Sequence, residues 1–305
     1  MAKIFTFLAI STLFISGCFK PVDLGHGRFI GATVEDTFTI DINKDQFRLQ
    51  LGKLGETILS GTLQPFNKNK SYNFQLKNNQ AVVAMIPNQL LIYGTKNGLG
   101  VGISNHAKSN RVDEVAGVYN FVVQYQSNDR PKYSYGTFEL LPDFTWRSWS
   151  MKNGSENKEG HKVSGNWLVG GNGIIKAMLD KENVFANIAS LGENYGNGIV
   201  IDLVAKQGIA LGTKQALIRA GSIDGEYSVL SSLKPEIKKA SVRDVVAMNG
   251  KNYYALGYNE PWNGFVKDRR SEFIGTISAN GNYFFGLNIG AISGNQYVFA
   301  AIKDS

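Results

Sequence analysis

The sequence predicts an all-β protein built from two or three tandem small antiparallel β-barrels or sandwiches. Three observations carry this reading: apolar and polar residues alternate with a period of two, turn-forming dipeptides cut the chain at strand-length intervals, and one ordered set of signals recurs along it.

The alternation is clearest between Thr37 and Leu51. Phe38, Ile40 and Ile42 fall on one face, with Thr37, Thr39 and Asp41 on the other. Asn43 to Gln46 turns the chain, and Phe47, Leu49 and Leu51 resume the apolar series, which makes a hairpin. Tyr72, Phe74 and Leu76 repeat the pattern. Turn signals follow at Asn97-Gly98, Pro142-Asp143, Asn153-Gly154, Asp224-Gly225, Asn249-Gly250 and Asn280-Gly281. The 34 glycines suit tight turns, because glycine adopts positive φ at little cost. Hydrophobic residues at 43% and charged residues at 19% describe a chain able to bury a core and exclude general disorder. Only Leu230 to Val246 suggests helix, limited to a few turns near Pro235.

The recurring set begins with glycine, any residue and an aromatic, at Gly27-Arg28-Phe29, Gly117-Val118-Tyr119 and Gly225-Glu226-Tyr227. An acidic or amide turn before an aromatic comes next, at Asp45/Phe47, Asp143/Trp146 and Asn280/Tyr283. A Ser-Gly step follows at Ser60-Gly61, Ser164-Gly165 and Ser293-Gly294. Lys96 to Gly102 matches Lys206 to Gly212 as a duplicated closing hairpin, which the third copy lacks. The expected organisation is repeats at 27–110, 111–220 and, more divergent, 221–305. The arrangement resembles lipocalin-like meanders, in which closure removes aggregation-prone edges. A β-propeller is the alternative, although a blade takes roughly 40 to 50 residues and these units are nearer twice that.

At the N-terminus Lys3 precedes the apolar run Ile4 to Ile15, too short for a spanning helix of about 20 residues and the size of a signal-peptide core. Ile15-Ser16-Gly17-Cys18 follows, and Cys18 is the single cysteine of the chain. This resembles the lipobox of bacterial lipoproteins. The resemblance implies removal of residues 1–17 as a signal peptide, acylation (diacylglyceryl and palmitate-type chains) on Cys18, and attachment to the membrane through those chains. The absence of aspartate after Cys18 points by the same resemblance to the outer membrane. Residues 18–26 form a short lipidated tether, which at about 3.3 Å per residue keeps the body within roughly 30 Å of the lipid.

The net charge is +7, and subtracting Lys3, the leader's one charged side chain, leaves +6. Basicity this mild reads as solubility, and the clusters Lys238-Lys239 and Lys267-Asp268-Arg269-Arg270 are short or interrupted; no nucleic-acid partner is expected. His26, His106 and His161 are far apart, so no metal site is expected, and no cofactor either. No Gly-x-Ser-x-Gly elbow occurs. The stretches 98–102 and 170–173 read as tight glycine turns rather than phosphate loops. Glu139 and Asp143 are the carboxylates nearest a glycosidase-like pair, but Asp143 sits where a turn wants it. The remaining candidates for ligand contact are Trp146, Trp149, Trp167 and Trp262; Trp146 and Trp149, three apart on a strand, face opposite ways.

The expected function is therefore that of an outer-membrane-anchored lipoprotein serving as a non-catalytic binding module for a small apolar or saccharide ligand, or an envelope or host surface. The alternative is a structural or assembly lipoprotein docking on another envelope protein.

Overall fold

A computed structural model of the chain describes residues 26–34, 37–51, 56–65, 73–76, 81–95, 98–150, 161–170, 173–180, 183–204, 206–244, 246–270, 272–290 and 295–304. The leader, Cys18, Asn153-Gly154 and Ser293-Gly294 lie outside them. The described chain forms three closed eight-stranded antiparallel barrels, each an up-and-down meander whose last strand pairs with its first.

The first barrel runs through β1 (His26–Ala32), β2 (Thr37–Asn43), β3 (Gln46–Leu51), β4 (Glu56–Pro65), β5 (Asn73–Leu76), β6 (Ala81–Ile86), β7 (Leu90–Thr95) and β8 (Gly98–Ser104). The short helix α1 (Val112–Val115) leads into the second: β9 (Gly117–Ser127), β10 (Arg130–Leu140), β11 (Thr145–Ser150), β12 (His161–Val169), β13 (Ile175–Met178), β14 (Val184–Ser190), β15 (Gly198–Leu203) and β16 (Gly208–Lys214). The third comprises β17 (Gly225–Ser231), β18 (Lys238–Arg243), β19 (Val246–Asn249), β20 (Asn252–Tyr258), β21 (Phe265–Asp268), β22 (Phe273–Ile277), β23 (Tyr283–Asn288) and β24 (Tyr297–Lys303).

The glycine-x-aromatic signal sets one register in all three. Gly27, Gly117 and Gly225 pair with Ile42, Leu140 and Val242, and two residues on Phe29, Tyr119 and Tyr227 pair with Ile40, Phe138 and Ala240. In the second and third barrels the phenol reaches back four residues to a carbonyl: Tyr119 Oη donates to Val115 O (2.7 Å) and Tyr227 Oη to Ile223 O (2.7 Å). Glycine is required ahead of it. Gly117 and Gly225 lie at φ +146° and +154°, and a Cβ there would sit 2.3 and 2.4 Å from the Cε atoms of Lys214 and Lys303.

Both faces of several strands are apolar, and each face has its own work. Phe38, Ile40, Phe47 and Leu91 fill the first barrel, while Tyr119, Phe138, Trp146 and Ile188 fill the second. Between the barrels lies a further apolar cluster, the largest among the described residues, built from outward residues of each: Leu90, Ile92 and Val101 from the first, Leu211 from the second, Phe285 and Ile302 from the third. The paired rows explain the glycine-rich closing strand. On β8 Leu99, Val101 and Ile103 point into this shared core, and Gly100 and Gly102 point inward, where a Cβ would strike the rings of Tyr93 (2.2 Å) and Phe38 (2.9 Å). The run 98–102 is thus a strand rather than a turn. At the stretch 170–173 Gly173 N donates to Gly170 O (2.9 Å), while residues 171 and 172 lie outside the described residues.

Three further expectations are corrected. The third repeat has its closing hairpin, β23–β24, with Tyr297 where β8 and β16 begin at Gly98 and Gly208. Its counterpart of the Asp45 turn is the β18–β19 turn at Asp244, since Arg243 pairs with Val246 as Asn43 does with Gln46; Asn280/Tyr283 belongs to the β22–β23 turn instead. The described residues of 230–246 hold β17's end, an irregular link, β18 and the start of β19, with no helix among them, because Pro235 withholds a backbone donor and Lys238 to Val242 pairs with β17.

Candidate functional site

The barrels share a register, so their interiors can be compared position by position. In the first, Phe38, Ile40, Ile42 and Phe47 project inward from β2 and β3. In the third, Lys238, Ala240, Val242 and Ala247 occupy the matching places on β18 and β19, with Val242 opposite Ala247 as Ile42 is opposite Phe47. In the second, Phe138, Leu140 and Trp146 stand there. At the places of Ile40 and Phe47 the second barrel has Phe138 and Trp146, whereas the third has only Ala240 and Ala247.

The result is a cavity of about 150 Å³ inside the third barrel. Val242, Ala247, Leu256, Val266, Phe284 and Phe299 are among its apolar walls. Its floor is closed by Ile223 and Tyr227, whose hydroxyl is also 3.0 Å from Gly281 O. At the opposite end polar groups gather: Glu236, Lys238, Asn249, Asn288, Tyr254 and Tyr297. Lys238 Nζ and Glu236 Oε1 form an exposed ion pair at 3.1 Å, and Asn288 Nδ2 donates to Glu272 Oε1 at 3.3 Å. Burial pushes the Tyr254 and Tyr297 phenols above their ordinary range, and the Glu272 carboxylate adds to this, so both stay neutral hydrogen-bonding groups near neutral pH. Aromatic walls with a few polar groups at one end suit a ligand that is apolar at one end and polar at the other.

The four tryptophans are placed elsewhere. Trp146 and Trp167 are buried inside the second barrel, their indole N–H groups donating to Met178 O (3.0 Å) and Leu141 O (2.9 Å). Trp146 stacks on Phe185 with ring centroids 5.1 Å apart. Trp149 is half-buried on the outer face beneath the Arg147 guanidinium, 5.1 Å from its ring centre. Trp262 packs against Phe265 and the shared core. None of the four lines the third barrel's cavity. A smaller space of about 90 Å³ lies in the second barrel, beside Phe121, Tyr125 and Phe185.

The carboxylates considered for chemistry are engaged structurally. Glu139 pairs with Arg147 across β10 and β11, and Asp143 Oδ1 accepts the backbone N–H (3.0 Å) and hydroxyl (2.6 Å) of Thr145 in a turn. Among the described residues no three of His, Cys, Asp or Glu are grouped to hold a metal ion, and no helix is long and apolar enough to cross a membrane.

No protein-family model and no curated protein matches the chain. Among solved structures it is similar to Kluyveromyces lactis Hsv2, with 8% identity, 87% of this chain and 93% of that one covered, and a TM-score of 0.18. It is similar to intact Ap-TbpB with its N and C lobes at 9% identity, 93% and 78% coverage and a TM-score of 0.17. For the Helicobacter pylori beta clamp in complex with Carprofen the values are 8%, 92%, 91% and 0.14. Similarity this low bears on neither fold nor ligand.

Proposed function

We propose that the chain is a lipid-anchored, non-catalytic binding module whose third barrel takes up the apolar part of a small amphipathic ligand. One observation carries the reading: Ala240 and Ala247 stand where the first barrel has Ile40 and Phe47, leaving an apolar space that opens toward polar side chains. An apolar cavity of about 150 Å³ accepts a benzene-sized group. The ligand is accordingly an aromatic ring or short alkyl segment with a polar end, held by insertion rather than by covalent chemistry.

The anchor rests on the lipobox-like sequence at Cys18. Acyl chains there hold the body beside a bilayer, by the same resemblance that of the outer membrane, with each buried methylene contributing about 0.8 kcal/mol.

Benzene titrated into the protein is the direct probe, followed through NMR shifts of the Tyr254 and Phe273 rings. Saturable shifts that vanish in Ala247→Phe support the reading. Shifts retained in that variant, or none in the parent protein, overturn it.

A further inference from the structure

An up-and-down meander places alternate connections at the same end of a barrel, so residues far apart in sequence meet on one rim. In the third barrel residues 232–237, 250–251, 269–270, 272, 289–290 and 295–296, which follow or precede the strands at that end, lie around the open end of the cavity. Lys234, Lys238, Lys251, Arg269 and Arg270 are exposed there. Lys238 is paired with Glu236; among the described residues the other four have no ion-pair partner. Two further acids of this end, Asp268 and Glu272, are buried and turned to internal partners: Asp268 Oδ2 accepts the N–H groups of Arg270 (3.2 Å) and Glu272 (3.3 Å). Outer charge on this rim is thus positive. Two large apolar side chains share it, Leu233 at 53% and Tyr253 at 65% exposure.

We infer that this rim docks on an anionic lipid bilayer. The choice of occupant follows from the mixture. A soluble polyanion or an acidic protein face would satisfy the cations but has no apolar layer to receive Leu233 and Tyr253, whereas a bilayer interface accepts both: tyrosine and leucine settle at the headgroup boundary while Lys and Arg sit near the phosphates. The 232–237 link is held in place from behind, its Pro235 lying against Gly94 of the first barrel, so Leu233 and Lys234 are presented on a supported loop. Docked this way, the cavity of the third barrel faces the lipid, and an amphipathic guest could pass between them without crossing water. The inference rests on the rim and is independent of what occupies the cavity.

The test uses the full chain and two kinds of vesicle, phosphatidylcholine alone and phosphatidylcholine with phosphatidylglycerol, so that any contribution of the N-terminal segment is common to both. The expected result is a preference for the anionic vesicles that fades with salt and falls about tenfold or more when Lys251, Arg269 and Arg270 are all changed to Glu. Arg130→Glu/Arg219→Glu/Arg243→Glu alters net charge equally at exposed sites elsewhere and should retain the preference. Leu233→Ala/Tyr253→Ala should weaken binding to both vesicles while keeping the anionic preference. Circular dichroism confirms that each variant is folded, and benzene binding unchanged in the rim variants separates this inference from the cavity reading. Equal partition onto both vesicles, a preference as sensitive to the control reversals as to the rim reversals, or tighter binding to soluble heparin than to anionic vesicles would overturn it.

Discussion

Tyr283 of the third barrel lies so close against Gly198 of the second that a Cβ on Gly198 would sit 2.5 Å from the tyrosine hydroxyl. Tyr283 is fully buried, and among the described residues its hydroxyl has no hydrogen-bond partner. Beside it Thr213 bonds the Thr276 hydroxyl and donates to Ile277 O (2.9 Å), and Asn120 Nδ2 donates to Asn263 O (2.7 Å), so the two barrels are joined by buried polar bonds as well as by apolar packing. Gly198→Ala should therefore loosen the joint, costing about 1–3 kcal/mol. Urea unfolding measures it, and Tyr283→Phe, near neutral alone, should recover part of the loss in the double variant. Strict additivity of the two would argue against the contact.

Filling the third barrel and emptying the first should act in opposite directions. Ala247→Phe introduces a side chain that the first barrel accommodates at the matching position, and should raise stability by about 0.5–2 kcal/mol. Phe47→Ala should cost about 3–5 kcal/mol. A marked loss of stability in Ala247→Phe would show that the interior of the third barrel is narrower than its lining implies.

Alkaline pH should weaken the fold. Burial pushes the Tyr258 phenol up to about 12, with the Asp224 carboxylate adding to it, and raises Tyr119, Tyr227 and Tyr283 further. In the unfolded chain these phenols ionise near pH 10. Their folded values are raised, so the stability they contribute is complete below about pH 10 and is lost as pH climbs through the folded values. Thermal melting followed between pH 8 and pH 12 should show a falling midpoint from about pH 10 upward. A flat midpoint across that range would contradict the burial of these rings.

Cys18→Ser should abolish acyl labelling and move the chain from the membrane to the soluble or unprocessed fraction. Undiminished labelling with radioactive palmitate would remove the anchor from the proposed function.

The period-two alternation of Phe38, Ile40 and Ile42 was readable because each residue faces the barrel interior, and the turns at Asn249-Gly250 and Asn280-Gly281 because their glycines take positive φ, +62° and +70°. What escaped reading depended on partners distant in sequence. The closing hairpin of the third repeat carries the same register with Tyr297 in place of Gly98 and Gly208, so similarity of letters could not reveal it. The cavity is a difference between equivalent positions, Phe47 against Ala247, and becomes visible only once the strands are paired. The tryptophans are conspicuous in the sequence, but nothing local to Trp146 or Trp167 says that Met178 and Leu141 supply their hydrogen-bond acceptors. Of the rim cations only Lys238, Arg269 and Arg270 stood out in the sequence, in two separate clusters, because the meander that unites them with Lys234 and Lys251 spans the whole repeat.

The shared apolar cluster imposes an order on biogenesis. A chain emerging N-terminus first can close its first barrel once β8 has appeared, yet Leu90, Ile92 and Val101 stay without their full set of neighbours until β24 delivers Val298, Ala300 and Ile302. For the time needed to synthesise some two hundred further residues the nascent protein presents a sticky flank, the kind of surface that holding chaperones bind and that promotes aggregation when they are scarce.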